Sequence, residues 1–225
     1  MSEEFQWPGS EPSTPSQDIS PPPAFEEKKS WDKPKGDKKW VKKESTWIPR
    51  LPLYATIVAN ADITESESRN LVQIASFLVS KGFKIRYALH NKNLAALINS
   101  TIDKKDTETY VPWKGFDDIE NADFFTNNRA KDLMGVLNTS FKDLPNPTQN
   151  IIGINCSLMY GAFCECPSSC LITHTADGCV DYKRKSKETG YASSVIELAN
   201  RMNIPVYNTG NELTQDRFSS FMSNY

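Results

Sequence analysis

Residues 53–60, "LYATIVAN", form a short apolar, β-branched run. The spacing then changes to threes and fours: Leu71, Ile74, Ala75 and Leu78 fall on one face of a helix. Ahead of that helix, "TESE" sets Thr64 as the cap and Glu67 as the residue that reaches back to close a capping box, and Lys81-Gly82 ends the element. The alternation continues with "FKIRYA" as a strand, "NKNLAALINS" as a short helix and "TETYVPW" as a third strand stopped by Pro112. Further on, "NNRAKDLMGVLNTSF" has helical spacing and "DLPNPTQN" reads as a turn segment. "QNIIGINCSLMYGAF" then reads as a helix, "SSCLITHT" as a strand, "YASSVIELANRM" as a helix and "IPVYN" as a last strand. Strands alternating with helices predict an α/β fold, a Rossmann-like and mostly parallel sheet with helices on both faces.

The front of the chain lacks this periodicity. Residues 1–52 hold nine of the fourteen prolines and four of the five tryptophans, with almost no aliphatic residue before Val41. Such a segment buries too little apolar surface to offset the entropy of ordering, so a flexible tail is expected there. The expected organisation is a tail over 1–52, a domain over 53–211 and a C-terminal helix or tail over 212–225. A net charge of -2 conceals a switch within the tail. Residues 1–27 carry six acidic and no basic side chains, whereas residues 28–50 carry nine Lys/Arg against three Asp/Glu.

"MSEEFQWPGS" has neither the basic start nor the apolar stretch of a leader, and no run approaches the roughly 18 apolar residues of a membrane span. A cytoplasmic protein with no membrane partner is expected. Five cysteines, an odd set within residues 156–179, read as reduced thiols and not as a disulfide scaffold.

In open α/β sheets, ligands sit where strands end and loops enter helices. "VANADIT" and "YALHNKN" at two such places lack glycine, whereas "VPWKGFDD" and "KETGYASS" have one each. Three blocks together resemble the DprA-like Rossmann domains often found in phage genomes, within the superfamily of DprA and lysine-decarboxylase-like proteins. They are "ETYVPWKGFDD" at 108–118, "SSCLITHTADG" at 168–178 and "TGYASSVIELANRMNIPVYNTG" at 189–210. These are similar to the family's Pro-Trp-x-x-Phe strand end, its Thr-Pro-Asp-Gly loop and its Gly-Gly-Thr helix start that runs on to Ile-Pro-Val. The resemblance spans about residues 53–211. It implies a phage-encoded protein in the host cytoplasm and, as in DprA, binding of single-stranded DNA without chemistry.

The departures from the family pattern fall on the phosphate loops. Ala59-Asn60-Ala61 and Ala88-Leu89-His90-Asn91 stand where the family keeps small residues and gaps, and Glu188-Thr189-Gly190 replaces Gly-Gly-Thr. Glu197, seven residues beyond Gly190, reads as an exposed helix carboxylate and completes no catalytic constellation. No enzymatic activity and no cofactor are expected.

Thr189 and Gly190 open a helix whose free amides and positive dipole end suit an anion. Lys183, Arg184, Lys185 and Lys187 precede them, a sensible contact for a phosphate backbone, although a solvated loop has the same composition. Lys114, in "VPWKGFDD", points to the same rim, while Pro112, Trp113 and Phe116 read as packing. In the tail, Trp31 and Trp40 are interleaved with Lys33, Lys35, Lys38, Lys39, Lys42 and Lys43, with Trp47 beyond. Each base stacked on such an aromatic face contributes about 1 to 3 kcal/mol. Docking on a partner and folding back onto the domain are alternatives for the tryptophans.

The acidic front resembles the mobile tips of single-strand-binding proteins, with Phe5, Trp7 and Phe25 as anchors for a replication or transcription protein; a plain spacer is the alternative. Cys164, Cys166, Cys170, His174 and Cys179 include enough soft ligands for zinc, but the spacing is not a usual one, and core thiols without a metal are the better account. A Cys-His nucleophile pair has no third orienting residue that can be named.

The leading expectation is a non-enzymatic single-stranded-DNA-binding protein of replication, recombination or polymerase recruitment, which a homo-oligomer would help to track a strand. The runner-up is a protein that binds or processes a nucleotide-derived small molecule. A third reading is an adaptor that works through its tail.

Overall fold

The computed structural model describes residues 52–225. The tail candidates Trp31, Lys33, Lys35, Lys38, Lys39, Trp40, Lys42 and Lys43 lie outside the described residues, as do Phe5, Trp7, Phe25 and Trp47. Twelve principal elements follow one another: β1 (Leu53–Ala59), α1 (Glu65–Ser80), β2 (Phe83–Ala88), α2 (Lys92–Thr101), β3 (Thr107–Val111), β4 (Phe124–Phe125), α3 (Asn128–Leu137), α4 (Asn146–Tyr160), β5 (Cys170–His174), α5 (Ala192–Arg201), β6 (Val206–Asn208) and α6 (Thr214–Met222).

The strands make one sheet in the order β4-β3-β2-β1-β5-β6, every neighbouring pair parallel. This is the expected Rossmann-like α/β fold. From β1 the chain steps outward to β4, then returns through α3 and α4 to the other side of β1. Right-handed crossovers place the outgoing and returning helices on opposite faces. Residues along one strand accordingly feed two cores. Ala55, Ile57 and Ala59 join the core under α1, α2 and α6, while Val58 joins the one under α3, α4 and α5. Buried on both faces, β1 reads as a nearly continuous apolar run, whereas β2 and β3 carry Arg86 and Glu108.

Local chemistry explains the element boundaries. At α1, Thr64 Oγ1 accepts from the Glu67 amide at 3.3 Å and Glu67 Oε2 accepts from the Thr64 amide at 2.8 Å, the predicted capping box. The "DLPNPTQN" turn is shorter than expected, because α4 already begins at Asn146 with a proline in its first turn, where a missing N–H costs nothing. β4 has only two residues and no pattern of its own. Asp123 pins it by accepting from the Thr109 amide (2.8 Å) and hydroxyl (2.7 Å). α6 packs Phe218, Phe221 and Met222 into the α1 core, so residues 214–222 are a helix of this layer.

Toward the amino ends of the strands lies a buried cation. Arg86 of β2 donates to Glu108 Oε2 (2.9 Å) and to the Cys166 carbonyl (2.5 Å), and its guanidinium lies 3.6 Å from the Tyr54 ring centroid. Gly161, at φ +80°, leaves the room: a Cβ there would come within 2.8 Å of the guanidinium.

Candidate functional site

β1 and β5 are neighbours, with Ala59 opposite His174, and the helices that follow them leave on opposite faces. This switch point is where an open sheet usually holds its ligand. Here the chain's own side chains tie the crevice shut. Asn60 Nδ2 donates to the carbonyls of Glu188 (3.3 Å) and Thr189 (3.2 Å), and Asn60 Oδ1 accepts from the Ala192 amide (3.2 Å). Asn60 thus caps α5 from 132 residues away. Asn91 Nδ2 donates to the Asn60 carbonyl (2.9 Å) while its Oδ1 caps α2 at Leu94. Leu89 is buried, and the His90 ring stands 4.7 Å from that of Tyr191. Burial pushes the His90 imidazole below its ordinary value, so the ring is held neutral.

Thr189 and Gly190, expected to meet an anion, are committed to the same closure. Thr189 is fully buried; its hydroxyl donates to Asp177 Oδ2 (2.5 Å) and accepts from the Ser186 amide (2.9 Å). Gly190 adopts φ +56° directly against Asn60, whose amide atoms would lie 2.8 to 2.9 Å from any Cβ. Partial burial alone would raise the Asp177 carboxyl; the hydroxyls of Ser186, Thr189 and Thr175 and the Cys179 amide outweigh it and hold the group well below the usual carboxylate range. The loop entering α5 therefore carries its own carboxylate, which suits the positive end of the helix.

The basic residues open elsewhere. Lys183, Arg184, Lys185 and Lys187 are all exposed, on and after a 3-10 turn (Tyr182–Arg184) that Asp181 caps by accepting from the Lys183 amide at 3.0 Å. Beside that turn runs a groove of about 550 Å³ along the β6 edge, lined by Tyr182, Lys183, Arg201 from the end of α5 and Arg217 from α6. Arg201 pairs with Glu197 at 2.7 Å and lies 5.9 Å over the Tyr182 ring. Glu197 is therefore half-buried and engaged, not a free exposed carboxylate. Lys114 is exposed on the loop after β3, four strand positions from β6, which is roughly 19 Å at the usual strand spacing, and so outside this groove. Sequence reasoning missed Arg201 and Arg217, because nothing local says that α5 and α6 converge on one strand edge.

A second missed arrangement joins three segments. His174, at the end of β5, has Nε2 at 3.0 Å from Glu67 Oε1 and Nδ1 at 2.8 Å from Thr209 Oγ1. The third orienting residue that a Cys-His pair lacked is present, but the hydroxyl is that of Thr209. Carboxylate, imidazole and hydroxyl lie in the order of a hydrolytic triad. Its oxyanion donors are missing from this turn, since the amides of Thr209, Gly210 and Asn211 go to the Thr173 carbonyl (2.9 Å), Asn208 Oδ1 (3.0 Å) and the Asn208 carbonyl (2.9 Å).

With both His174 nitrogens engaged, zinc has no claim on that ring. Among the described residues no group of three or more His, Cys, Asp or Glu could hold a metal ion. Cys156 and Cys170 are core thiols; burial pushes Cys170 up to about 12. Nor is any described helix long and apolar enough to cross a membrane.

No family model matches the chain, and neither a curated protein nor a solved structure matches it. The likeness to DprA-like domains rests on the three sequence blocks alone.

Proposed function

We propose that this protein binds single-stranded DNA, without acting chemically on it, along the β6 edge of the domain. The observation that carries this reading is the convergence of Lys183, Arg201 and Arg217 with Tyr182 around one groove, against Asp181 as its charged counterpart among the described lining residues. The turn after β5, the end of α5 and α6 each deliver a cation to one strip of surface, Arg201 with Glu197 as its partner, and Arg184, Lys185 and Lys187 extend it over the neighbouring loop. Phosphates follow such a strip, and a partly exposed ring such as Tyr182 offers a face to an unpaired base. Thr189 and Gly190 then shape the loop that presents the lysines, while Lys33 to Lys43 with Trp31 and Trp40 add a second, tail-borne contact. The tail also recruits a replication or transcription protein in this reading, and the step served is replication, recombination or polymerase recruitment.

Fluorescence anisotropy with labelled oligonucleotides of mixed sequence tests it. Binding of single strands is expected at low salt, falling with a log-log slope of about -0.7 for each phosphate neutralised. Absence of binding to single and double strands alike at low salt sinks the reading.

The runner-up, recognition of a small nucleotide-derived ligand, is favoured by one observation: the Glu67, His174 and Thr209 chain at the carboxyl ends of β5 and β6.

A further inference from the structure

We propose that the cleft between α1 and α6 is a nucleobase pocket in which the Thr209 hydroxyl accepts a hydrogen bond from the base. The cleft, of about 420 Å³, opens where the two helices part above β5 and β6. This volume falls within the range of about 300 to 1,000 Å³ typical of small-molecule sites. Its floor is apolar and partly aromatic, with Ile172 of β5, Tyr207 of β6, and Phe218 of α6 set edge-to-face on Tyr207 at 5.2 Å. Asn70 of α1 and Gln215 of α6, both exposed, are among its polar lining residues. A flat ring with a mixed donor and acceptor edge fits that combination, because each carboxamide offers both roles. Among the described lining residues Glu212 is the one charged side chain, and no Lys or Arg is present. A phosphate finds no counter-charge here, so the base enters and its phosphate stays outside.

Thr209 lines this cleft, and the chain behind it fixes which way its hydroxyl points. Glu67 is immobilised by the capping box. The Thr64 amide, then the Thr64 hydroxyl, hold its carboxyl below the ordinary range, so it is ionised and only accepts. In the neutral ring the proton of His174 sits on Nε2, facing Glu67 at 3.0 Å. That tautomer has its lone pair on Nδ1, which takes the Thr209 hydroxyl proton at 2.8 Å in preference to the Thr173 carbonyl at 3.5 Å. The proton of the hydroxyl is spent, and what remains for the cleft is a pair of acceptor sites. The pocket thus favours an N–H or amino group of the base over a bare carbonyl. The Glu67 and His174 pair acts by positioning, with no bond made or broken.

The chemistry is the same whether the base belongs to a free nucleoside or to a DNA strand; only the second source rests on the DNA-binding reading. The test uses the full chain and follows adenosine, cytidine and a mixed-sequence oligonucleotide, by ligand-observed NMR for the nucleosides and anisotropy for the strand. Thr209→Val removes the acceptor at nearly constant shape, and Thr209→Ser restores it, which guards against a loss caused only by misfolding. About tenfold weaker binding in the Val variant, rescued by Ser, is expected. Nucleoside binding with this dependence identifies a free-ligand pocket, and dependence seen only with the oligonucleotide identifies a strand-borne base. If neither ligand responds to Thr209→Val, the pocket is overturned, even when the oligonucleotide still binds and loses affinity on removal of Lys183 and Arg217. Loss of oligonucleotide binding altogether with nucleoside binding retained would overturn the DNA reading and leave the pocket standing.

Discussion

The two ends of α5 look alike in the sequence, each a polar loop beside a helix terminus with basic residues near, yet they are occupied differently. At the start, Asn60 reaches across the switch point to take the Ala192 amide, Asp177 supplies a carboxylate, and Thr189 is buried between them. At the end, Arg201 borders an open groove with Lys183 and Arg217. A helix start is an anion site only to the extent that the fold leaves its amides free. Here they are met from within, and the cations that remain exposed lie along the strand edge.

The largest effect is expected from disturbing the closed end. Gly190→Ala sets a Cβ 2.8 to 2.9 Å from the Asn60 amide in a left-handed backbone conformation. A loss of about 3 kcal/mol in chemical denaturation should follow. Asn60→Ala removes the three ties to residues 188, 189 and 192 and should cost about 2 kcal/mol by the same measurement. If its oligonucleotide affinity also rises, the start of α5 is a latent phosphate site and the contrast between the ends is weaker than drawn.

The open end is broken by charge removal. Replacing Lys183, Arg184, Lys185 and Lys187 with Ala should lower affinity more than tenfold and flatten the salt slope by about 3, with little change in stability. Arg217→Ala should have a smaller effect, lowering the slope by about 0.7. Equal slopes for wild type and both variants would take these residues out of the interface.

Acidification gives the mildest discrimination between the ends. Asp177 has a folded value depressed below its ordinary 3.8, so its contribution is complete above that pH and is lost as pH falls through the folded value. His90 is depressed below 6.5 by burial, so its neutral packing is favourable above that pH and stability declines as the solution becomes more acid. Denaturation midpoints should therefore fall in two stages below pH 6.5, the first removed by His90→Gln and the second reduced by Asp177→Asn. Charge variants in the groove should leave both stages unchanged.

Much of this was legible without coordinates where neighbours in sequence are neighbours in space. The Thr64 and Glu67 capping box, the buried face through Leu71, Ala75 and Leu78, and the five longer strand segments all follow from interactions over a few residues. Leu89 and His90 were legible as bulk at a loop without glycine; Leu89 is buried there and the His90 ring packs against Tyr191. β4 was not, since Phe124 and Phe125 are too few to show a period and depend on Asp123 meeting Thr109 fourteen residues away.

The sequence by itself determined the α/β class, the order of the five longer strands, and the absence of glycine at two of the four loops. Those properties come from periodicity and backbone sterics, which act locally. Tertiary structure alone decided that Asn60 would occupy the start of α5, that Arg201 and Arg217 would share a groove with Lys183, and that Glu67, His174 and Thr209 would line up. Each of these depends on parallel strands whose partners are separated by long crossovers. Which side chains meet at the strand ends is set by strand order and register, and neither is encoded in any single stretch of the chain.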